Sequence, residues 1–177
     1  MTWVFGRQVP DTSLIRFVSH TFPHPATMLD IGSGEGANAR ELRLRWHEVI
    51  TVDKDPTVEC NHCCDIRDYR PDPWESFDLV YDINTLCHVE NPPFEKIRSW
   101  LKPKGVFLTI CPTHSAPPYI REGKSFTRTT SQYDLRETLQ PFFANMKIYE
   151  RFEPAFRIDD DENCKDFLDS WIAVCRV

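Results

Sequence analysis

The stretch Thr27-Met28-Leu29-Asp30-Ile31 followed by Gly32-Ser33-Gly34-Glu35-Gly36 constrains this chain more than any other. Residues suited to a buried strand run directly into three alternate glycines, and helix-forming sequence starts at Ala37. Glycine reaches positive φ and has no Cβ, so the alternation predicts a tight turn whose backbone amides stand close to a ligand. Without a ligand or a close neighbour, three glycines in a row of five would only weaken local structure. The next apolar run, Glu48-Val49-Ile50-Thr51-Val52, ends in Asp53. That acid lies roughly 20 residues past the first glycine, where a carboxylate meets a ribose diol in nucleotide-binding α/β sheets.

Taken alone, the turn admits more than one reading. Gly32-x-Gly34-x-x-Ala37 satisfies the dinucleotide fingerprint, and Asp53 then stands at the distance expected for NAD. The longer run Asp30-x-Gly32-x-Gly34-x-Gly36 resembles the class I S-adenosylmethionine-dependent methyltransferases. Later segments match that family in order: Asp65-Ile66 after a third short strand, Phe77 to Asp82 as the fourth strand, and Leu86-Cys87-His88-Val89 after it. Leu101-Lys102-Pro103-Lys104-Gly105-Val106-Phe107-Leu108 resembles the helix-to-fifth-strand turn, and Ser170 to Arg176 the antiparallel last strand. The match is best over residues 27–111. The connection from Pro112 to Thr130 resembles the tellurite-resistance-like branch of small methyltransferases.

The resemblance implies a three-layer, doubly wound α/β sandwich with a seven-stranded, mainly parallel sheet whose last strand is antiparallel. It implies methyl transfer from S-adenosylmethionine to a small-molecule acceptor, with Asp30, Gly32 and Gly34 beside the methionine part, Asp82 or Asn84 touching it as well, Asp53 on the ribose, Asp65 and Ile66 at the adenine, and Gly36 and Lys54 also among the cofactor-binding residues. One charge argument favours this donor over a dinucleotide. A carboxylate at Asp30 would repel a pyrophosphate at the helix amino end, whereas it attracts a sulfonium and an α-amino group. A nicotinamide oxidoreductase would also need a Tyr-x-x-x-Lys pair or its equivalent, which the sequence lacks. A non-catalytic module that binds the donor or a partner stays open, because no clear general base stands out.

With 177 residues and 41 % hydrophobic content the chain suits one well-buried domain. Its parts are an amino-terminal segment and helix over 1–26, a cofactor-binding core over 27–111, a substrate-side loop over 112–130, and a carboxyl-terminal helix with antiparallel strands over 131–177. A formal charge of −6, from 27 acidic and 21 basic residues, argues against a nucleic-acid partner. Seven cysteines and no apolar leader favour a reduced, cytoplasmic setting, and no run is long enough to span a membrane.

Other segments carry narrower expectations. Met1 to Pro10, with Trp3, Val4 and Phe5, reads as a packed tail or as a flap over the site. Asp11-Thr12-Ser13 caps a helix through about His20. A helix from Glu35 to about His47 should bury Leu42 and Trp46 on one face and leave Arg40, Arg43 and Arg45 in solvent. A turn or very short helix should then precede the third strand. Cys60-Asn61-His62-Cys63-Cys64 has the spacing of half a zinc site, but no second pair follows, so no metal is expected and the thiols read as core or half-exposed groups, with Cys64 leaving a buried strand. His88 reads either as a capping or buried histidine or as a catalytic group that orients or deprotonates an acceptor; His114 is the second catalytic candidate. Asn91-Pro92-Pro93-Phe94 resembles an amide-binding motif of some amino-methyltransferases and equally suits a helix start. The long connection after Cys111 places Tyr119, Arg121 and Phe126 as substrate-binding candidates. A helix from Ser131 to about Phe143 should bury Tyr133, Leu135, Leu139 and Phe142. Met146 to Phe152 reads as a strand, and Asp159 to Asn163 as a solvated acidic turn.

Overall fold

The fold is that of a computed structural model, which describes residues 2–3, 9–112, 132–158 and 165–177. Eight strands form one sheet in the order β1-β7-β8-β6-β5-β2-β3-β4. They are β1 (Thr2–Trp3), β2 (Thr27–Ile31), β3 (Glu48–Asp53), β4 (His62–Cys63), β5 (Phe77–Ile83), β6 (Leu101–Pro112), β7 (Asn145–Ile158) and β8 (Lys165–Arg176). From β4 across to β6 every pairing is parallel, while β8 runs antiparallel to both β6 and β7. The expected seven-stranded sheet is therefore present, with β1 added as a short edge strand against Arg157 and Ile158 of β7. That pairing lies at the opposite sheet edge from β3 and β4, and the rest of Met1–Gln8 lies outside the described residues.

Alternation along the central strands builds two cores. Met28 of β2, Leu79 and Tyr81 of β5, and Val106, Leu108 and Ile110 of β6 face α1 (Thr12–Thr21) and α2 (Ala37–Leu44). Leu29 and Ile31, Val80, and Phe107 face the other way, onto α3 (Phe94–Trp100) and α4 (Gln132–Leu139). Period-two side chains on a sheet covered on both faces leave no polar side, which is why these strands read as nearly continuous apolar runs. Asp11 caps α1 by accepting from the amides of Ser13 and Leu14, and its second oxygen accepts from buried Arg151 of β7 at 2.7 Å. The first helix is thus fastened to the sheet's far side by an ion pair.

Several expectations are corrected. Helix α2 ends at Leu44, and Trp46 does not join its buried face: the ring is 83 % exposed and φ is +70°. The amide of His47 donates to Leu42 O and that of Trp46 to Arg43 O, a Schellman closure that turns the chain outward one residue too early for Trp46 to reach the core. The third parallel strand, β4, is a two-residue, exposed edge strand rather than a buried one. It is held by Asn61, whose Oδ1 accepts from the Thr51 amide and hydroxyl. Helix α3 begins after Pro93, not at an Asn91 cap. Strand β6 starts at Leu101 rather than Gly105, with a register shift against β5 between Phe77 and Leu79 and Lys104 at φ +69°. Leu135, Leu139 and Phe143 are buried by the fourth helical segment, Phe142 is half-buried, and the Tyr133 side chain lies outside the described residues. The acidic turn, Asp159 to Asn163, lies outside them too.

Candidate functional site

Chain order reverses between β2 and β5: β3 and β4 extend the sheet on one side of β2, and the chain then crosses to β5 on the other. Crevices at such a reversal, beyond the carboxyl ends of the strands, are where open parallel sheets bind ligands. The glycine turn lies there. Gly32, Gly34 and Gly36 all have positive φ, at 69°, 52° and 73°. The turn is strapped to β3, with the Gly32 amide donating to Val52 O at 2.7 Å and the Gly34 amide to Asp53 Oδ2 at 2.8 Å.

The first two glycines serve different ends. A Cβ on Gly32 would lie 2.1 Å from Thr85 Oγ1, so this glycine exists for a packing partner inside the protein. A Cβ on Gly34 would meet nothing within 4 Å, so here the missing side chain leaves open space for something from outside. Thr85 is thus a part of the site that the sequence did not reveal; the only local signal was the glycine it requires.

Asp30 and Tyr81 sit opposite one another in the β2–β5 register, and both are buried. Burial pushes the Asp30 carboxyl up to about 7, and the charges of Asp82 and Asp53 add to the rise. Tyr81 beside it offsets part of this, yet the two do not reach hydrogen-bond geometry: Asp30 Oδ2 and the Tyr81 hydroxyl both lack a partner. Ser33 Oγ and Asn84 Oδ1 are likewise buried and unsatisfied. Four such polar atoms cluster on residues at the ends of two adjacent strands, where they are suited to meet polar groups of a ligand. Asn84 itself has φ +56° and is held by its amide donating to Ile110 O. Ser33 and Tyr81 escaped the sequence reading, because the strand pairing that brings Tyr81 to Asp30 is non-local.

Asp82 is occupied by the protein. Its Oδ1 accepts from the Thr85 and Leu86 amides at 2.8 Å each, and Oδ2 accepts from Thr109 Oγ1 at 2.6 Å. It shapes the turn after β5, and burial pushes its carboxyl up to about 6. His88 is exposed at the end of a short 3-10 helix, Leu86–His88, so the reading of it as a buried histidine is set aside. A small pocket on the α3–α4 face is lined by Leu86, Cys87, Phe94, Thr109, Cys111 and Leu135. Phe94 packs against Phe107 and Phe142, which takes its ring into the core and away from the ligand role that the Asn-Pro-Pro-Phe motif would give it.

Lys54 is exposed beyond β3, and no helix intervenes before β4. Asp65 is half-buried beyond β4 and pairs with Arg67, which holds its carboxyl down at about 2. The Ile66 side chain belongs to the core next to Tyr69, leaving its backbone for any contact at the sheet edge. Among the described residues no group of three or more His, Cys, Asp or Glu is arranged to hold a metal ion. His114, Tyr119, Arg121 and Phe126 lie outside the described residues.

The crevice agrees with comparison to known proteins. A family model described as a methyltransferase domain matches residues 6–153. The chain belongs to this methyltransferase domain family. No curated protein matches the methyltransferase significantly in sequence. Among solved structures it resembles one from the conversion of a disulfide bond into a thioacetal group during echinomycin biosynthesis, at 16 % identity and TM-score 0.70, over 99 % of this chain and 84 % of the other. It also resembles Haemonchus contortus phosphoethanolamine N-methyltransferase 2 in complex with phosphomonomethylethanolamine and S-adenosylhomocysteine, at 18 % identity and TM-score 0.66, over 96 % of this chain but 53 % of that one. Burkholderia thailandensis 1,6-didemethyltoxoflavin-N1-methyltransferase is similar at 18 % identity and TM-score 0.61, over 93 % and 76 %. At these identities the structures establish the shared fold.

Proposed function

We propose that this methyltransferase transfers a methyl group from S-adenosylmethionine to a small-molecule acceptor. The observation that carries the reading is Asp30, a buried carboxyl with an unpartnered oxygen at the chain reversal of the sheet. Such a group suits a cationic ligand and opposes a pyrophosphate. The other residues fit the same donor. Asp53 offers acceptor oxygens for a diol, Gly34 leaves room for close approach, Asn84 and Ser33 have unsatisfied polar atoms, and Asp65 and the Ile66 backbone are the proposed contacts for the base. Family membership and the donor product named for two of the similar structures support the assignment.

When bound, the donor supplies an electrophilic methyl group already activated by its positive sulfur. The chain's task is to orient the donor, align an acceptor behind the methyl group and exclude water. Asp82 does the first indirectly, fixing the turn that sets Thr85 over Gly32. His88, and His114 in the substrate-side segment, are the proposed groups for orienting or deprotonating the acceptor, with Tyr119, Arg121 and Phe126 proposed to cover it. The tellurite-resistance-like resemblance rests on that same segment, so the proposal stops at the small-molecule class. The whole chain is proposed as one catalytic domain. Among the described residues no helix is long and apolar enough to cross a membrane.

The test is release of S-adenosylhomocysteine from S-adenosylmethionine with a panel of small amines, thiols, phenols and carboxylates. Acceptor-dependent release supports the proposal. Tight donor binding with no release for any acceptor would replace it with the non-catalytic donor-binding module.

A further inference from the structure

The run Cys60-Asn61-His62-Cys63-Cys64 has no part in the crevice chemistry above, yet the fold gathers its thiols around one carbonyl. In the β3–β4 ladder Cys63 stands opposite Asp53. Asp53 O accepts from the Cys64 amide at 2.9 Å and from Cys60 Sγ at 4.0 Å. The Cys60 sulfur is thereby held against the residue that Cys63 faces, and the Cys63 thiol stands beside it. Burial raises the Cys60 thiol above its usual pKa, and the charge and hydrogen bond of Cys63 add to the rise. The turn between the two is fixed by Asn61, whose amide donates to Thr51 Oγ1 at 2.9 Å while its Oδ1 accepts from the Thr51 amide and hydroxyl. His62 packs its ring edge-on to Tyr69, with centroids 5.2 Å apart.

Access separates the thiols. Among the described cysteines Cys63 alone is exposed; Cys60 and Cys64 are half-buried, and Cys87, Cys111 and Cys175 are buried. Burial also raises the Cys64 thiol, so both sulfurs flanking Cys63 hold their protons. Strand β4 has only two residues, both exposed, at the sheet edge, so a rearrangement there disturbs little of the fold. Packing does not account for an exposed cysteine, and reactivity is the usual reason to place one.

We propose that Cys60 and Cys63 form a thiol–disulfide exchange site, in which exposed Cys63 attacks a small-molecule disulfide of the glutathione class and Cys60 resolves the adduct. The Cys63 thiolate bonds to one sulfur of that disulfide, and the other sulfur leaves as a thiolate. Cys60 then gives its proton to solvent, attacks the Cys63 sulfur and expels the second thiolate. Two protein thiols are oxidised to one disulfide, and the small disulfide is reduced to two thiols. This chemistry needs neither donor nor acceptor of the methyl group. The new bond takes the Cys60 thiol from Asp53 O, next to the carboxylate that straps the Gly34 amide.

The test incubates the native chain with oxidised glutathione, quenches with an alkylating agent and maps the cysteines by peptide mass spectrometry. Wild type should yield a Cys60–Cys63 disulfide that retains little glutathione. Cys60→Ser should accumulate the Cys63–glutathione adduct at least about tenfold above wild type, and Cys63→Ser should leave Cys60 reduced. The wild-type map decides the matter even where a variant fails to fold. Cys63 that stays reduced in wild type, keeps its glutathione, or bonds instead to Cys64 or to a second molecule overturns the proposal. Oxidation of Cys60 in folded Cys63→Ser as fast as in wild type overturns it as well.

Discussion

Lowering the pH from 7 to 5 takes Asp30 from about half ionised to about one hundredth ionised, because its folded-state carboxyl titrates at about 7. If that carboxylate receives the donor's cationic end, only the ionised form binds well. Affinity for S-adenosylmethionine should then fall about fifty-fold over this range, approaching tenfold per pH unit at the acid end, with close to one proton released per ligand bound at pH 5. The range lies below the titration of the donor's own α-amino group. Asp65, held at about 2, stays ionised throughout. Titration calorimetry at pH 5, 6 and 7, in buffers of different ionisation enthalpy, reads both affinity and proton release. Asp30→Asn should bind weakly and lose most of the pH dependence, leaving only what Asp82, pushed up to about 6, contributes through the turn it caps. An affinity constant between pH 5 and 7 with no proton release would refute the argument.

The same carboxyl governs stability with the opposite sense. Its folded pKa lies above the unfolded value near 3.8, so its contribution is present below that value and is lost as pH rises to about 7. Thermal scans should therefore show wild type losing stability relative to Asp30→Asn between pH 4 and 8. Gly32→Ala should cost about 2–3 kcal/mol in denaturant unfolding through its clash with Thr85 and its φ of +69°. Gly34→Ala should cost about 1 kcal/mol for its φ of +52° but weaken donor binding at least tenfold, since its open side is where a ligand approaches. Trp46→Gly should raise stability by up to about 1 kcal/mol, because Trp46 sits exposed in the left-handed closing position of α2 where glycine is favoured.

The strand, glycine turn and following helix were legible because their signals are local: an apolar run, three glycines and an acid at the end of the next strand. Strands β3, β5, β6 and β7 were placed correctly in type for the same reason, and β8 through the family resemblance. The failures have two origins, local hydrogen-bonded closures that spacing does not specify and contacts between residues distant in sequence. Trp46 looked like the next turn of an apolar stripe, but the chain closed the helix just before it. The segment at Cys60 looked like a buried strand, although Asn61 holds it at an exposed edge. At the site, Asp30 and Asp53 announced themselves as acids beside a glycine turn. Asp82 gave the same signal and proved to be an internal cap. Thr85, Tyr81 and Arg67 gave none, because each matters only through a partner: Gly32 across the crevice, Asp30 across the sheet, and Asp65 two residues away in a geometry that spacing does not specify.

The central claim is that the crevice between β2 and β5 takes an adenosyl donor. Calorimetric titration of S-adenosylmethionine, S-adenosylhomocysteine and NAD into the wild type and Asp53→Ala tests it most directly, with unfolding followed alongside because Asp53 also holds the Gly34 amide. Both adenosyl ligands should bind the folded wild type, bind folded Asp53→Ala at least tenfold more weakly, and outcompete NAD. Failure of either adenosyl ligand to bind the wild type, or binding of NAD in their place, would contradict it.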